Sequence, residues 1–195
     1  MALKLIIGAK ETAQPGWIST DLRSAQAPLD MRDAAAWARY FQPETIDNIL
    51  AEHCLEHLWP EEALQAVQNF YRYLKRGGRV RLATPDAFNP DPHYQEHSRP
   101  GGAYQWLARL VHYSPDEPMH KTHWDFQSLC ALLSRVGFQP VLLEWFDAAG
   151  RFHRNAWNKE DGDVRRCLNS PYNLEVYQRW LSFQNLSLIV DGVKQ

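Results

Sequence analysis

The densest patch of chemistry-bearing side chains is A-E-H-C-L-E-H-L, residues 51–58. His53 and His57 with Glu52 and Glu56 offer metal ligands, proton carriers and hydrogen-bond acceptors within one short stretch. Laid out as a helix, His53, Glu56 and His57 spell H-x-x-E-H. In that motif two histidines four apart share a zinc ion and the glutamate serves as general base. A third ligand must then come from elsewhere, and Glu144 is the one nominated. Laid out as a strand end, the stretch instead presents Glu52 and His53 to a ligand at a sheet edge. The plainest layout is a capped helix start with two solvated histidines. The strand-end layout is favoured, and no metal is expected.

A second set of polar residues sits just after short apolar runs: Gly8, Asp21, Asp30 and Thr84-Pro85-Asp86. A nucleotide-like ligand lying across strand ends needs a residue without a side chain where backbone meets ligand. It also needs a carboxylate to accept hydrogen bonds from two ribose hydroxyls. Gly8 and Asp21 supply both types. The G-x-G-x-x-G fingerprint is absent, because Ala9, Lys10 and Glu11 occupy its place, and a dinucleotide dehydrogenase is therefore disfavoured.

The elements that would position these groups follow from pattern. Strands are predicted at Lys4–Ile7, Trp17–Thr20, Pro28–Met31, Ile46–Leu50, Arg79–Ala83, Val141–Phe146 and Leu186–Val190. Helices are predicted at Ala34–Tyr40, residues 60–74, Trp124–Val136 and 174–183, with a shorter one at Tyr104–Tyr113. The 60–74 helix carries Pro60 at its start, Glu61 and Glu62 in its first turn, and Leu64, Val67, Tyr71 and Leu74 on one face. Gly77-Gly78 is read as its stop. Strands alternating with helices imply an α/β domain whose ligand lies beyond the carboxyl ends of a mainly parallel sheet.

The 195 residues fit one domain. At 45% hydrophobic and 23% charged, with a formal charge of −2, the chain is an ordinary globular one. That balance gives no general attraction to nucleic acid or anionic lipid. Cys54, Cys130 and Cys167 contain no C-x-x-C pair, so reduced thiols are expected. Leu3–Ile7 is too short for a signal-peptide core, no run is long enough to span a membrane, and a cytoplasmic location is expected.

Taken in order, the segments resemble the class I S-adenosylmethionine-dependent methyltransferases of type 11, and more closely a compact bacterial subgroup of predicted methyltransferases. The matching pieces are Gly16-Trp17-Ile18-Ser19-Thr20-Asp21, the stretch Asp47–His57, and Leu74–Gly78 with Arg76 where proline is usual. Pro85-Asp86, Gly137-Phe138 and Ser187–Asp191 complete the match. The resemblance covers nearly the whole chain, more loosely at 87–119 and 147–180.

The resemblance implies a Rossmann-like, seven-stranded, mainly parallel sheet with an antiparallel last strand and helices on both faces, in a single domain spanning 1–195. It implies S-adenosylmethionine as cofactor and a methyl acceptor that is a small molecule or saccharide. Gly8 and Ala9 would approach the methionine moiety, Asp21 the ribose, Asp30 and Met31 the adenine, and Glu52 with His53 would close the pocket. His53 and Asp86 are the leading general-base candidates, ahead of His120 and His123. Residues 87–123, with five prolines and five of the eight histidines, read as an insertion or lid, whose Tyr94, Tyr104, Trp106 and Tyr113 could line an acceptor pocket. Lys10 replaces the usual second glycine after the first strand. A non-catalytic binding protein is the alternative that this substitution keeps open, and a zinc protease through H-x-x-E-H is the third.

Overall fold

Branched apolar residues at the start of the chain form the first strand, β1 (Lys4–Ile7), in the computed structural model, followed by β2 (Ile18–Asp21) and a two-residue β3 (Ala27–Pro28). Next come helix α1 (Ala34–Tyr40), β4 (Ile46–Glu52), a 3₁₀ turn at Leu55–His57, helix α2 (Pro60–Tyr73) and β5 (Leu74–Pro85). Helices α3 (Pro92–Ser98) and α4 (Phe126–Val136) precede β6 (Phe138–Phe146), β7 (Phe152–Arg154) and β8 (Ser187–Lys194). The structure describes residues 2–9, 12–22, 27–102, 119–168, 170–171 and 186–195. The expected helices at 104–113 and 174–183 lie outside these residues, as do Lys10, Tyr104, Trp106 and Tyr113.

The strands join in one sheet of order β3-β2-β1-β4-β5-β8-β6-β7. Strands β1 to β5 pair in parallel, and β8 runs antiparallel between β5 and β6. The inverted last strand is thus where it was expected. The sheet has eight strands rather than seven, because β6 turns back through Asp147–Gly150 into the short hairpin strand β7.

Several boundaries differ from the sequence reading for local reasons. β3 stops at Pro28, because Asp30 folds back on Arg32 in a turn, with Oδ1 accepting from both Arg32 N and Nε at 2.9 Å. Gly77 and Gly78 do not stop α2. The helix ends at Tyr73 and the chain enters β5 at once, with Gly77 at φ +75° where the pairing with β4 shifts register. A Cβ on Gly78 would come within 3.0 Å of the Asp47 carbonyl, so that strand passes too closely for a side chain. Helix α4 starts two residues later than expected, because Asp125 caps it by accepting from the Gln127 and Ser128 N–H groups. Trp124 is left to bridge to Asp86.

Side chains alternate across the sheet and divide the core in two. Leu5, Ile7, Ile49, Val80, Leu82 and Val190 face α1, α2 and α4. The buried face of α2 is Ala63, Ala66, Val67, Phe70 and Tyr73, about one position off the expected stripe, because Trp37 of α1 stacks on Tyr73 at 5.1 Å and meets Phe70 edge-on. Ile6, Leu50, Ala83 and Ile189 face the other way, where Trp157, Val164 and Cys167 cover them. Among the described residues, this second face is roofed by an irregular segment, and α1, α2 and α4 pack on the first.

Arg81 explains the alternation of charged and apolar residues in β5. It projects onto the second face, fully buried, and its Nε and Nη2 reach the two oxygens of Asp191 on β8 at 2.8 and 2.9 Å. Its Nη1 donates to the carbonyls of Asn158 and Gly162, and the guanidinium lies 4.6 Å from the Trp157 ring centroid. Arg81→Leu strands a buried carboxylate and two carbonyls, a loss of ~3–5 kcal/mol by precedent. Arg79 Nη1, 3.3 Å from Asp191, moderates the damage, and we expect about 3 kcal/mol in urea denaturation at pH 7. The double variant Arg81→Met/Asp191→Leu should recover a substantial part. A single variant within 0.5 kcal/mol (~a surface effect) of wild type would refute this role.

Candidate active site

Strand register sets the site. Ile7 pairs with Ala51, and Ile6 with Ser19, so Gly8 continues level with both Asp21 and Glu52 at the carboxyl edge of the sheet. Glu52 pairs in turn with Ala83. This places the polar residues after β1, β2 and β4 in one row, as the spacing suggested.

Gly8 is exposed at φ +62°, and a Cβ there would lie 2.5 Å from Cys54 Sγ. Both conformation and space therefore require glycine. Burial raises the Cys54 thiol well above the ordinary range, and its Sγ sits 3.3 Å from the Ile7 carbonyl. Ala9 is buried, its N–H donating to the Thr20 carbonyl at 2.9 Å, which ties the β1 turn to β2. Asp21 is half-buried at the end of β2, and its carbonyl accepts from Leu29 N–H.

Asp30 and Met31 stand just beyond β3. The Asp30 carboxylate is clasped by Arg32, which holds its pKa below the usual range, and Arg32 also reaches Glu62. The Met31 carbonyl accepts from Trp37 Nε1 and Asn69 Nδ2. Glu52 accepts from the backbone N–H groups of Arg165 and Arg166 at 3.2 and 3.1 Å, and so anchors the covering segment at the sheet edge.

His53 adopts φ +52°, a left-handed conformation that a non-glycine residue takes only under constraint. Its N–H donates to the Ala83 carbonyl, its Nε2 lies 2.8 Å from Ser187 Oγ, and its Nδ1 lies 3.1 Å from Glu56 Oε1. Burial, aided by Arg166, lowers its pKa, which favours the neutral imidazole. Glu56 is fully buried; burial opposes its charge, but the surrounding imidazoles of His53, His57 and His120 outweigh that and lower its pKa.

H-x-x-E-H does not form one helical face. His53 ends a strand and His57 ends a 3₁₀ turn. Glu144 is occupied elsewhere, accepting from Trp157 Nε1 and Leu168 N–H. His120 is the imidazole that approaches instead, 4.0 Å from Glu56 Oε1. His123 Nε2 lies 3.3 Å from Ser98 Oγ, and burial lowers its pKa to about 4.

Asp86 is fully buried. Its Oδ1 accepts from Phe88 N–H and its Oδ2 from Phe146 N–H, so the carboxylate clamps β6 to the turn after β5. Tyr94 is buried too; its hydroxyl accepts from Asp86 N–H and donates to the Leu186 carbonyl. Sequence reasoning missed Ser187, Glu56 as the hub of the histidines, and the Arg165–Arg166 amides. Ser187 had a local signal as the polar residue opening the final apolar run, and Glu56 had one in H-x-x-E-H, where it was read as a general base rather than as the centre of three imidazoles.

Residues 14–82 match the family model described as a methyltransferase domain. No curated protein matches the sequence significantly. Among solved structures, a SAM-dependent methyltransferase from Archaeoglobus fulgidus is similar at TM-score 0.51 and 18% identity, over 99% of this chain and 86% of that one. One from Thermotoga maritima, a possible histamine N-methyltransferase, is similar at TM-score 0.58 and 13% identity, over 100% and 83%. The 1,6-didemethyltoxoflavin-N1-methyltransferase of Burkholderia thailandensis, with 1,6-didemethyltoxoflavin and S-adenosylhomocysteine bound, is similar at TM-score 0.52 and 15% identity, over 100% and 71%.

The parallel sheet with an inverted strand before its far edge is the fold of class I methyltransferases. Over residues 14–82 the chain is similar to a methyltransferase domain, and its fold is that of these solved SAM-dependent methyltransferases, one of which holds S-adenosylhomocysteine.

Burial raises the Asp86 pKa from 3.8 to about 6, although its two amide partners work against this. Between those values the folded protein holds a proton that the unfolded chain has released. Asp86 therefore costs stability as pH rises through that window, by up to about 3 kcal/mol at neutrality. In Asp86→Asn this slope should vanish, although the variant loses one amide acceptor and is less stable by ~1–3 kcal/mol at acid pH. Urea denaturation from pH 4 to 7 checks it: wild type should lose stability relative to the variant, and parallel curves would refute the assignment.

Proposed function

We propose that this protein transfers a methyl group from S-adenosylmethionine, bound along the carboxyl edge of β1, β2 and β4, to a small-molecule acceptor. The observation that carries the reading is the register that sets Gly8, Asp21 and Glu52 level at that edge. The residues suit the cofactor. Gly8 is exposed and has no side chain, so backbone can approach the methionine moiety with Ala9 beside it. Asp21 offers a carboxylate to ribose hydroxyls. The Asp30 carboxylate is taken by Arg32, so the turn at Asp30–Met31 would flank adenine through backbone and the Met31 side chain. Glu52 holds the covering segment down and closes the pocket indirectly.

The cofactor supplies an electrophilic methyl on a sulfonium; the protein's part is orientation, exclusion of water and, for an acidic acceptor, removal of a proton. His53 is the better placed of the two base candidates. Its lowered pKa favours the neutral imidazole and its Nε2 meets a hydroxyl, Ser187 Oγ, that can relay a proton, whereas both oxygens of Asp86 are committed to backbone amides. A small molecule acceptor is supported by the Burkholderia thailandensis neighbour, which holds 1,6-didemethyltoxoflavin. No helix among the described residues is long and apolar enough to cross a membrane.

Asp21→Ala removes charge-assisted hydrogen bonds worth ~1.5–3 kcal/mol, so affinity for S-adenosylhomocysteine should fall roughly 10- to 150-fold. Calorimetric titration of wild type and variant, with circular dichroism to confirm folding, checks it. Equal affinities, or no binding by wild type, would sink the proposed edge site.

A further inference from the structure

We infer that Glu56, His57 and His120 form a binding site for a divalent transition metal of the zinc type. Their ligand atoms lie within 4.8 Å of one another. Two come from the 3₁₀ turn after β4, and the third from the segment that returns across it, whose Lys121 and Thr122 N–H groups donate to the Glu56 carbonyl at 2.7 and 3.1 Å. The backbone thus holds the two pieces together without any metal.

The polar atoms point to a ligand. The Glu56 side chain is 1% exposed, and neither carboxylate oxygen has a well-aligned hydrogen bond among the described residues. His53 Nδ1 comes to 3.1 Å from Oε1, but out of alignment. His57 Nδ1 is also buried with no hydrogen-bond partner among those residues. Such groups are costly to bury unless something satisfies them. His120 Nδ1 lies 2.6 Å from the Ser98 carbonyl and so must carry the proton, which turns the Nε2 lone pair toward Glu56. A carbonyl on one ring nitrogen that fixes the tautomer of the other is the usual outer partner of a metal-bound histidine.

Two imidazoles and one carboxylate suit zinc and its neighbours rather than magnesium or calcium, which take mostly oxygen. Tetrahedral ligands at zinc distances stand ~3.4 Å apart, so the side chains would draw in by about 1 Å. A fourth position stays open. This is not the H-x-x-E-H protease site, since Glu56 is a ligand and His53 stands outside the cluster. It departs from the sequence expectation of no metal.

The test is titration of chelator-treated protein with zinc chloride by calorimetry and with cobalt(II) chloride by visible absorption. Wild type should bind about one zinc per chain and show cobalt bands of a tetrahedral N/O site. Each of His57→Gln and Glu56→Gln should weaken zinc binding by more than the ~100-fold that losing an outer partner costs. His93→Gln, at an exposed histidine on α3, should leave binding unchanged. Near-ultraviolet circular dichroism identifies any variant that fails to fold, and the remaining ligand variant then decides. No zinc binding by wild type, or binding retained in a folded ligand variant, overturns the site. Loss in His93→Gln alone does so too, by exposing adventitious surface binding.

Discussion

A parallel sheet must be covered on both faces, and among the described residues one cover is an irregular segment that brings Trp157, Val164 and Cys167 to the sheet. Arg81 makes that cover possible. Its guanidinium ties β5 to β8 through Asp191 and at the same time serves the carbonyls of Asn158 and Gly162, while Trp157 lies against its plane. Backbone that leaves water without helix or strand partners needs such side-chain partners. Glu52 and Glu144 do the complementary work, accepting the N–H groups of residues 165, 166 and 168. One cation and two anions on the sheet thus satisfy backbone groups of residues 158–168, which lie outside the strands.

This arrangement links the core to the site. Glu52 ends β4 at the carboxyl edge of the sheet, and the segment it holds passes its Arg166 carbonyl to Ser187 N–H, at the start of β8. Ser187 in turn meets His53. The strained His53 backbone is therefore held from three sides: by the Ala83 carbonyl, by Ser187, and by the close carboxylate of Glu56. Strain at a strand end that is over-determined by its surroundings is characteristic of functional positions.

What the sequence made legible was periodic or local. Branched runs marked β1, β4 and β8, and the Pro60 start and spaced apolar residues marked α2. The order of elements pointed to the correct sheet, and strand-end logic brought Gly8, Asp21, Glu52 and His53 to one edge. Misreadings arose where distant contacts overrode local signals. Gly77-Gly78 looks like a helix stop, but it lets β5 pass close to Asp47. Likewise, no local signal shows that Phe146, sixty positions away, donates to one oxygen of the strand-end Asp86. No spacing rule links His120 to Glu56; only the return of residues 119–123 over the turn joins them.

The position of β8 also bears on how the chain reaches this state. Strands β5 and β6 are parallel and not hydrogen-bonded to each other, and the strand that joins them is drawn from residues 187–194. Until that segment arrives, β5 offers an open edge and the β6–β7 hairpin is detached from the sheet. Assembly must therefore wait on pairings that span more than a hundred residues, such as Arg79 with Val193. Chains of such high contact order fold slowly and leave strand edges exposed in the interval. The step that completes the sheet also sets Ser187 beside His53, so a trapped intermediate would hold α1 and α2 against β1, β4 and β5 and lack the finished carboxyl edge.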